Sequence, residues 1–175
     1  MQLLEEHWSF MDGYAEGMIA RGPTLAEDGL TATGSLHVVD LPDAEAVRVF
    51  AFEEPNYKAG VYAEVLIRRF RNLLGRTMWE FGGDPDASRF LVIAHARPGA
   101  NEPHPDSFDA GAHETQLILC GPLLSDDGLA WVGDALAVDL PAREAVEDLI
   151  AADPLARADL YERVEIHPWR FGGRR

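Results

Sequence analysis

Six of the 175 residues are histidines, the side chains best placed to move protons, because an unperturbed imidazole titrates at about 6.5, near working pH. His7 heads an apolar stripe in which Phe10, Met11, Tyr14 and Met18 follow at helical spacing. It reads either as an acid–base group on a helix or as one more packed residue of the stripe. Glu54-Pro55 and Asp153-Pro154 are acid–proline pairs. Proline pushes the preceding residue out of the α region, so each pair also reads as a plain turn or helix boundary. Arg21 suits bidentate clamping of an anionic ligand, or complements the dipole at the end of the preceding helix. Tyr14 reads as core or pocket wall. Ser35 has no neighbouring base or oxyanion motif in sequence, so a serine nucleophile is not expected. His95, His104, His113 and His167 match no metal-ligand spacing and read as scattered residues of strands and loops, so no metal site is expected. Cys120 lies in an apolar run and reads as a small buried hydrophobe.

The elements that must position these residues come twice. Residues 22–70 laid on residues 121–169, an offset of 99, agree at 19 of 49 positions. Gly22-Pro23, Asp28-Gly29-Leu30, Gly34, Val39-Asp40-Leu41-Pro42, Pro55, Tyr62, Val65 and Ile67 all find their counterparts. The matches include residues that set turns, so the chain is read as a tandem duplication. In the first copy Glu5 to Ala20 reads as a helix closed by Gly22 as a left-handed cap. A strand over 34–40 follows, then a helix opened by Leu41-Pro42-Asp43, with Asp43 or the nearby carboxylates near its start and Ala46, Val47, Val49 and Phe50 on its buried side, then a closing strand from Tyr62 to Phe70. In the second copy residues 90–96 form the opening strand. Pro103, Pro105 and Gly111 interrupt the helix expected over 101–116. The fold expected is α+β: two ferredoxin-like β-α-β-β-α-β units, packed sheet to sheet as a pseudo-dimer within one chain. Repeat one spans 1–81, residues 82–89 link, and repeat two spans 90–175, with a further strand available within 71–81. Repeat one lacks its opening strand, whose counterpart would precede Met1. Either the start codon is placed too late or another segment covers that edge, since a bare edge invites aggregation.

Composition narrows the function. An apolar share of 47% supports a globular interior. A formal charge of −15 disfavours nucleic acid and anionic membrane surfaces as partners. One cysteine excludes an internal disulfide. No apolar run approaches a membrane span, and the N-terminus lacks a signal-peptide pattern, so a cytoplasmic protein is expected. A small-molecule ligand is the expected partner, with a homodimer as an option.

In both halves the order and spacing of these residues resembles the YCII-related family, small ferredoxin-like proteins of the dimeric α/β barrel superfamily. The residues are His7 and the helix after it, Arg21-Gly22-Pro23, Asp28-Gly29, Gly34-Ser35 and Glu54-Pro55, then Gly121-Pro122-Leu123-Leu124, Asp126-Asp127-Gly128, Asp153-Pro154 and Ile166-His167-Pro168-Trp169. The resemblance implies a catalytic couple of the helix histidine with the acid of the acid–proline pair. It also implies lyase-type chemistry on small, often aromatic, molecules without a cofactor. Carried onto this chain, it makes His7 the acid or base and Glu54 its orienting carboxylate, with Asp153 a second partner reachable across the repeats. Arg21, Tyr14 and Ser35 become substrate-binding candidates. Repeat one departs from the family in having Glu where Asp is usual, and repeat two has Asp106 at the position offset from His7. A non-catalytic binding or interaction module is the alternative.

Overall fold

The computed structural model describes residues 2–84, 87–100 and 111–173. Helix α1 (Gln2–Asp12) and a 3-10 turn (Ala15–Gly17) lead into a hairpin of β1 (Met18–Leu25) and β2 (Ala32–Val39). Next come α2 (Ala44–Phe52), the one-turn helix α3 (Pro55–Lys58) and a two-residue strand β3 (Arg69–Phe70). The second half runs β4 (Arg89–Ala96), β5 (Leu117–Leu124), β6 (Trp131–Asp139), α4 (Arg143–Ala152), α5 (Pro154–Arg157) and β7 (Tyr161–Trp169). Among the described residues no helix is long and apolar enough to cross a membrane.

Among the described residues the seven strands form one antiparallel sheet in the order β2-β1-β7-β4-β6-β5-β3, which nearly closes into a barrel. Ala20, Leu36 and Val38 from the first half meet Leu91, Ile118, Leu119 and Ala137 from the second in a shared core. Helices cover the other faces. α4 seats Val146, Leu149 and Ile150 on Phe90, Val92, Leu136 and Val138, and in the first half Phe50 joins Met11 and Met18. β4 is therefore buried on both faces, which explains why its sequence is an unbroken apolar run.

The halves exchange ends. Beyond β3, the Arg71 N–H donates to the Pro122 carbonyl (3.1 Å) and the Leu73 N–H to that of Cys120 (2.8 Å). Beyond β7, the Arg170 N–H donates to the Pro23 carbonyl (3.3 Å) and the Gly172 N–H to that of Arg21 (3.0 Å). Each pair is the other's counterpart at the offset of 99, so the two seams are related by a pseudo-twofold. At each crossing a glycine lets the backbones touch: a Cβ on Gly22 would overlap the Arg170 carbonyl, and one on Gly121 the Arg71 carbonyl.

Several expectations need correction. The helix expected over Glu5–Ala20 stops at Asp12, and Met18 begins a strand. Met11 and Met18 still share one core cluster with Phe50, so their helical spacing marks common burial and not a continuous helix. Gly22 sits inside β1 and caps nothing. Asp43 does cap α2, accepting from the Ala46 N–H at 2.8 Å, but Val49 is exposed. The closing strand expected over Tyr62–Phe70 is reduced to Arg69–Phe70, because the neighbour along which β7 runs in the second half, β4, has no described counterpart in the first. Residues 71–81 contain a 3-10 turn (Met78–Glu80) in place of a strand. The interrupted helix expected over 101–116 lies largely outside the described residues, and its described end, Gly111–Gln116, is 3-10.

Candidate functional site

Glu54 is the N-cap of α3 and Pro55 its first helical residue, an arrangement that pairs an acceptor side chain with a residue lacking N–H where none is needed. Its backbone is extended, as a residue before proline requires. One oxygen, Oε2, accepts the Tyr57 N–H at 2.8 Å. The other, Oε1, meets His7 Nδ1 at 2.5 Å. Glu54 is only 3% exposed. The cap and the histidine contact therefore coexist, each on its own oxygen.

His37 on β2 extends the site. Its ring lies 6.1 Å from that of His7 and 5.7 Å from Phe50, and Phe50 in turn packs on Tyr14 at 4.8 Å and Phe10 at 6.1 Å. Burial pulls the His37 imidazole down to about 4, helped by His7 and Arg21 and opposed by Glu54, so His37 is neutral near pH 7. Arg21 sits on β1 directly across from His37. It is buried, with its guanidinium against Gly173. A strand position removes the helix-end dipole as an account of Arg21. Ser35 lies two residues before His37 on β2, exposed and on the same face. Tyr14 forms part of the aromatic wall. The structure thus places His7, Glu54 and Arg21 around His37, with Tyr14 beyond Phe50. Strand alternation could have flagged His37, since residues 35, 37 and 39 share a face.

Asp153 lies elsewhere. It caps α5, accepting from the Leu155 N–H at 3.2 Å on Oδ1, while Oδ2 faces the Tyr161 hydroxyl at 3.0 Å. That hydroxyl is also 2.9 Å from Asp134 Oδ2, which accepts from Trp131 Nε1 at 3.2 Å. Asp153 therefore repeats the design of Glu54, one oxygen on the helix and one on a side chain, with tyrosine in place of histidine. The structure joins His7 to the acid of its own half and not to Asp153. Burial raises both aspartates, Asp134 to about 6 against the pull of the Tyr161 and Trp131 hydrogen bonds. Burial likewise pushes the Cys120 thiol up to about 12, with Asp134 and Asp153 adding to it.

His95 and His167 are not scattered: both reach Glu165, at 2.7 and 3.4 Å, and Arg163 joins them at 3.0 Å. Burial works against the Glu165 carboxylate, but the His95 hydrogen bond and the charges of Arg163, His95 and His167 hold it below its usual range. Among the described residues no group of three or more His, Cys, Asp or Glu side chains is arranged to hold a metal ion; His104 lies outside those residues. A broad open depression of about 460 Å³ is lined by Arg68, Ser125, Asp126, Asp127 and Val132, away from His7, His37, His95 and His167.

Compared with known proteins, the chain matches the sequence model of the YCII-related domain over residues 1–71 and 88–170. No curated protein matches it. Among solved structures it is similar to a 5-chloro-2-hydroxyhydroquinone dehydrochlorinase from Burkholderia phenoliruptrix, in complex with 2,5-dihydroxybenzoquinone, at 22% identity and a TM-score of 0.40. That likeness covers 48% of this chain and 95% of the other. At that TM-score it carries no argument about activity.

Proposed function

The chain belongs to the YCII-related domain family, and from that premise we propose that it is an enzyme of lyase type acting on a small, aromatic organic molecule in the cytoplasm. The observation that carries the reading is the His7 Nδ1–Glu54 Oε1 contact at 2.5 Å, made to a carboxylate buried to 3% exposure. An ionised Glu54 accepts from Nδ1–H and so leaves the lone pair on Nε2. That nitrogen takes a proton from carbon beside an electron-withdrawing group. The C–H electron pair becomes the new double bond, a leaving group departs with its own pair, and the imidazolium returns the proton to it. Glu54 orients the ring throughout and faces the charge it gains. Neutral His37 and the Phe50–Tyr14 wall supply an apolar flank suited to an aromatic ring, while Arg21 and Ser35 are the groups assigned to polar substituents.

The fold reading that accompanies this is two ferredoxin-like units, residues 1–81 and 90–175 joined by 82–89, forming a dimeric-α/β-barrel-like pseudo-dimer. The strand order β7-β4-β6-β5 in the second half and the two reciprocal seams support it.

The test is a thermal-shift and turnover screen of small phenols, quinones and carboxylic acids on wild type and His7→Ala together. A compound that stabilises and is consumed by wild type alone supports the reading. A compound that shifts both proteins equally, with no turnover, makes the chain a binding module, the second reading.

A further inference from the structure

The position of His37 does not need a histidine for packing. At the offset of 99 its counterpart is Leu136, which lies in the core beneath α4 and is 2% exposed. The same strand position thus packs with a leucine, whereas a histidine there takes a polar ring out of water. The two halves also differ in what stands beside this position. The histidine occurs in the half that carries the His7–Glu54 couple, and the leucine in the half where Asp153 meets Tyr161.

Its surroundings hold the ring by contact. Phe50 of α2 meets it at 5.7 Å and His7 of α1 at 6.1 Å, with the rings inclined by 73° and 65°. The charged and titratable groups that reach it are His7, Glu54 of α3 and Arg21 of β1. Burial, with His7 and Arg21 acting against Glu54, leaves it uncharged near pH 7. Among the described residues no hydrogen bond reaches either of its ring nitrogens. A neutral imidazole offers one N–H donor and one acceptor nitrogen, so it can hold an oxygen without bringing a charge of its own.

We propose that His37 is a specificity-determining and catalytic residue of this site, its ring nitrogen hydrogen-bonded to a hydroxyl or carbonyl oxygen of the molecule that His7 acts on. The proposal rests on the acid–base reading of His7 and Glu54 and adds the group that reads the substrate's oxygen. Reacting atoms sit about 3–3.5 Å apart and a hydrogen-bonded oxygen about 2.9 Å from its donor. A C–C–O unit therefore bridges two rings whose centroids are 6.1 Å apart. As His7 Nε2 takes the proton from carbon, the C–H electron pair spreads onto the oxygen, where the His37 N–H meets the developing charge. The pair returns to carbon as the new double bond forms and the leaving group departs with its own pair. His37 gives up no proton; Phe50 packs against its ring while its nitrogen edge does the binding.

The probes are phenol and toluene, alike in shape and different in the oxygen, titrated into the full chain labelled with nitrogen-15 histidine. Phenol should move the His37 nitrogen signals and toluene should not. His37→Leu should weaken phenol by about tenfold, the worth of one hydrogen bond, without weakening toluene. His37→Gln, which keeps a donor and an acceptor, should retain part of the phenol affinity. The proposal is overturned if phenol does not bind, if it binds without moving the His37 signals, or if His37→Leu weakens both probes alike or neither. For a substrate found by turnover, His37→Leu should lower kcat by about 10²-fold with a smaller change in KM; an unchanged kcat overturns the proposal and leaves the His7–Glu54 reading standing. A phenol contact that depends on His37, in a chain that turns over nothing, supports His37 as the oxygen-binding group and counts against the lyase reading alone.

Discussion

Glu54 divides its oxygens between the α3 backbone and the His7 ring, so a substitution can separate the two roles. In Glu54→Gln the amide oxygen can still cap while the NH2 group faces Nδ1, and the proton then belongs on Nε2. Nitrogen NMR should show His7 as the Nδ1–H tautomer in wild type and the other tautomer in the variant. For any substrate the screen finds, turnover should fall by about 10²-fold or more, with the melting temperature little changed. An unchanged tautomer would count against the couple. His37 predicts a pH effect. Its folded pKa of about 4 lies below the 6.5 of the unfolded chain, so its contribution is complete above 6.5 and is lost as pH falls through 4. Leu136 occupies the offset position, so His37→Leu should fit, and denaturant melts at pH 7 and 4 should show the variant losing less stability on acidification, by up to about 3 kcal/mol.

At the level of elements, α2 and the hairpins depend on a few local contacts. Removing the Asp43 cap with Asp43→Ala should lower stability by about 1 kcal/mol in denaturant melts. The seams are less forgiving. Both candidate Cβ positions at Gly22 and Gly121 run into backbone carbonyls, which cannot rotate aside as a side chain can. Gly22→Ala and Gly121→Ala should each cost about 3 kcal/mol or more. The same change at Gly29, where nothing lies within 4 Å of the Cβ, involves only the strain of its positive φ and should cost about 1 kcal/mol. Equal losses at all three would mean the seams do not hold the halves together.

Across the whole molecule, the halves share a frame and differ in their buried polar chemistry. In the second half one tyrosine hydrogen stands between two carboxylates, so both contacts are hydrogen bonds only when an aspartate also carries a proton. Asp134, raised to about 6 from 3.8, contributes stability that is complete below 3.8 and lost as pH rises through 6. His37 acts in the opposite sense over nearly the same interval. Wild-type stability should therefore vary little between about pH 4 and 6 from this pair. Asp134→Asn should uncover the loss on the acid side, and His37→Leu the loss on the alkaline side; parallel curves for wild type and both variants would refute the opposition.

Local sequence determined a good deal: two halves that match in order and spacing, the start of α2 near Asp43, the β4 strand and the acid–proline corners. Turn residues and alternation act over a few positions, and their constraints do not depend on distant partners. It also offered His7 as a candidate and, through family resemblance, its pairing with Glu54. Tertiary structure alone decided which acid His7 meets, because two residues 47 positions apart must be folded together to bring Oε1 to Nδ1. It alone put Arg21 and His37 face to face, turned the Met18 stripe into a strand, and joined His95 to Glu165. Residues 62–68 make the limit plainest. Their sequence has the pattern of β7, yet only Arg69 and Phe70 pair, because a strand exists only where a neighbour supplies the other half of its hydrogen bonds.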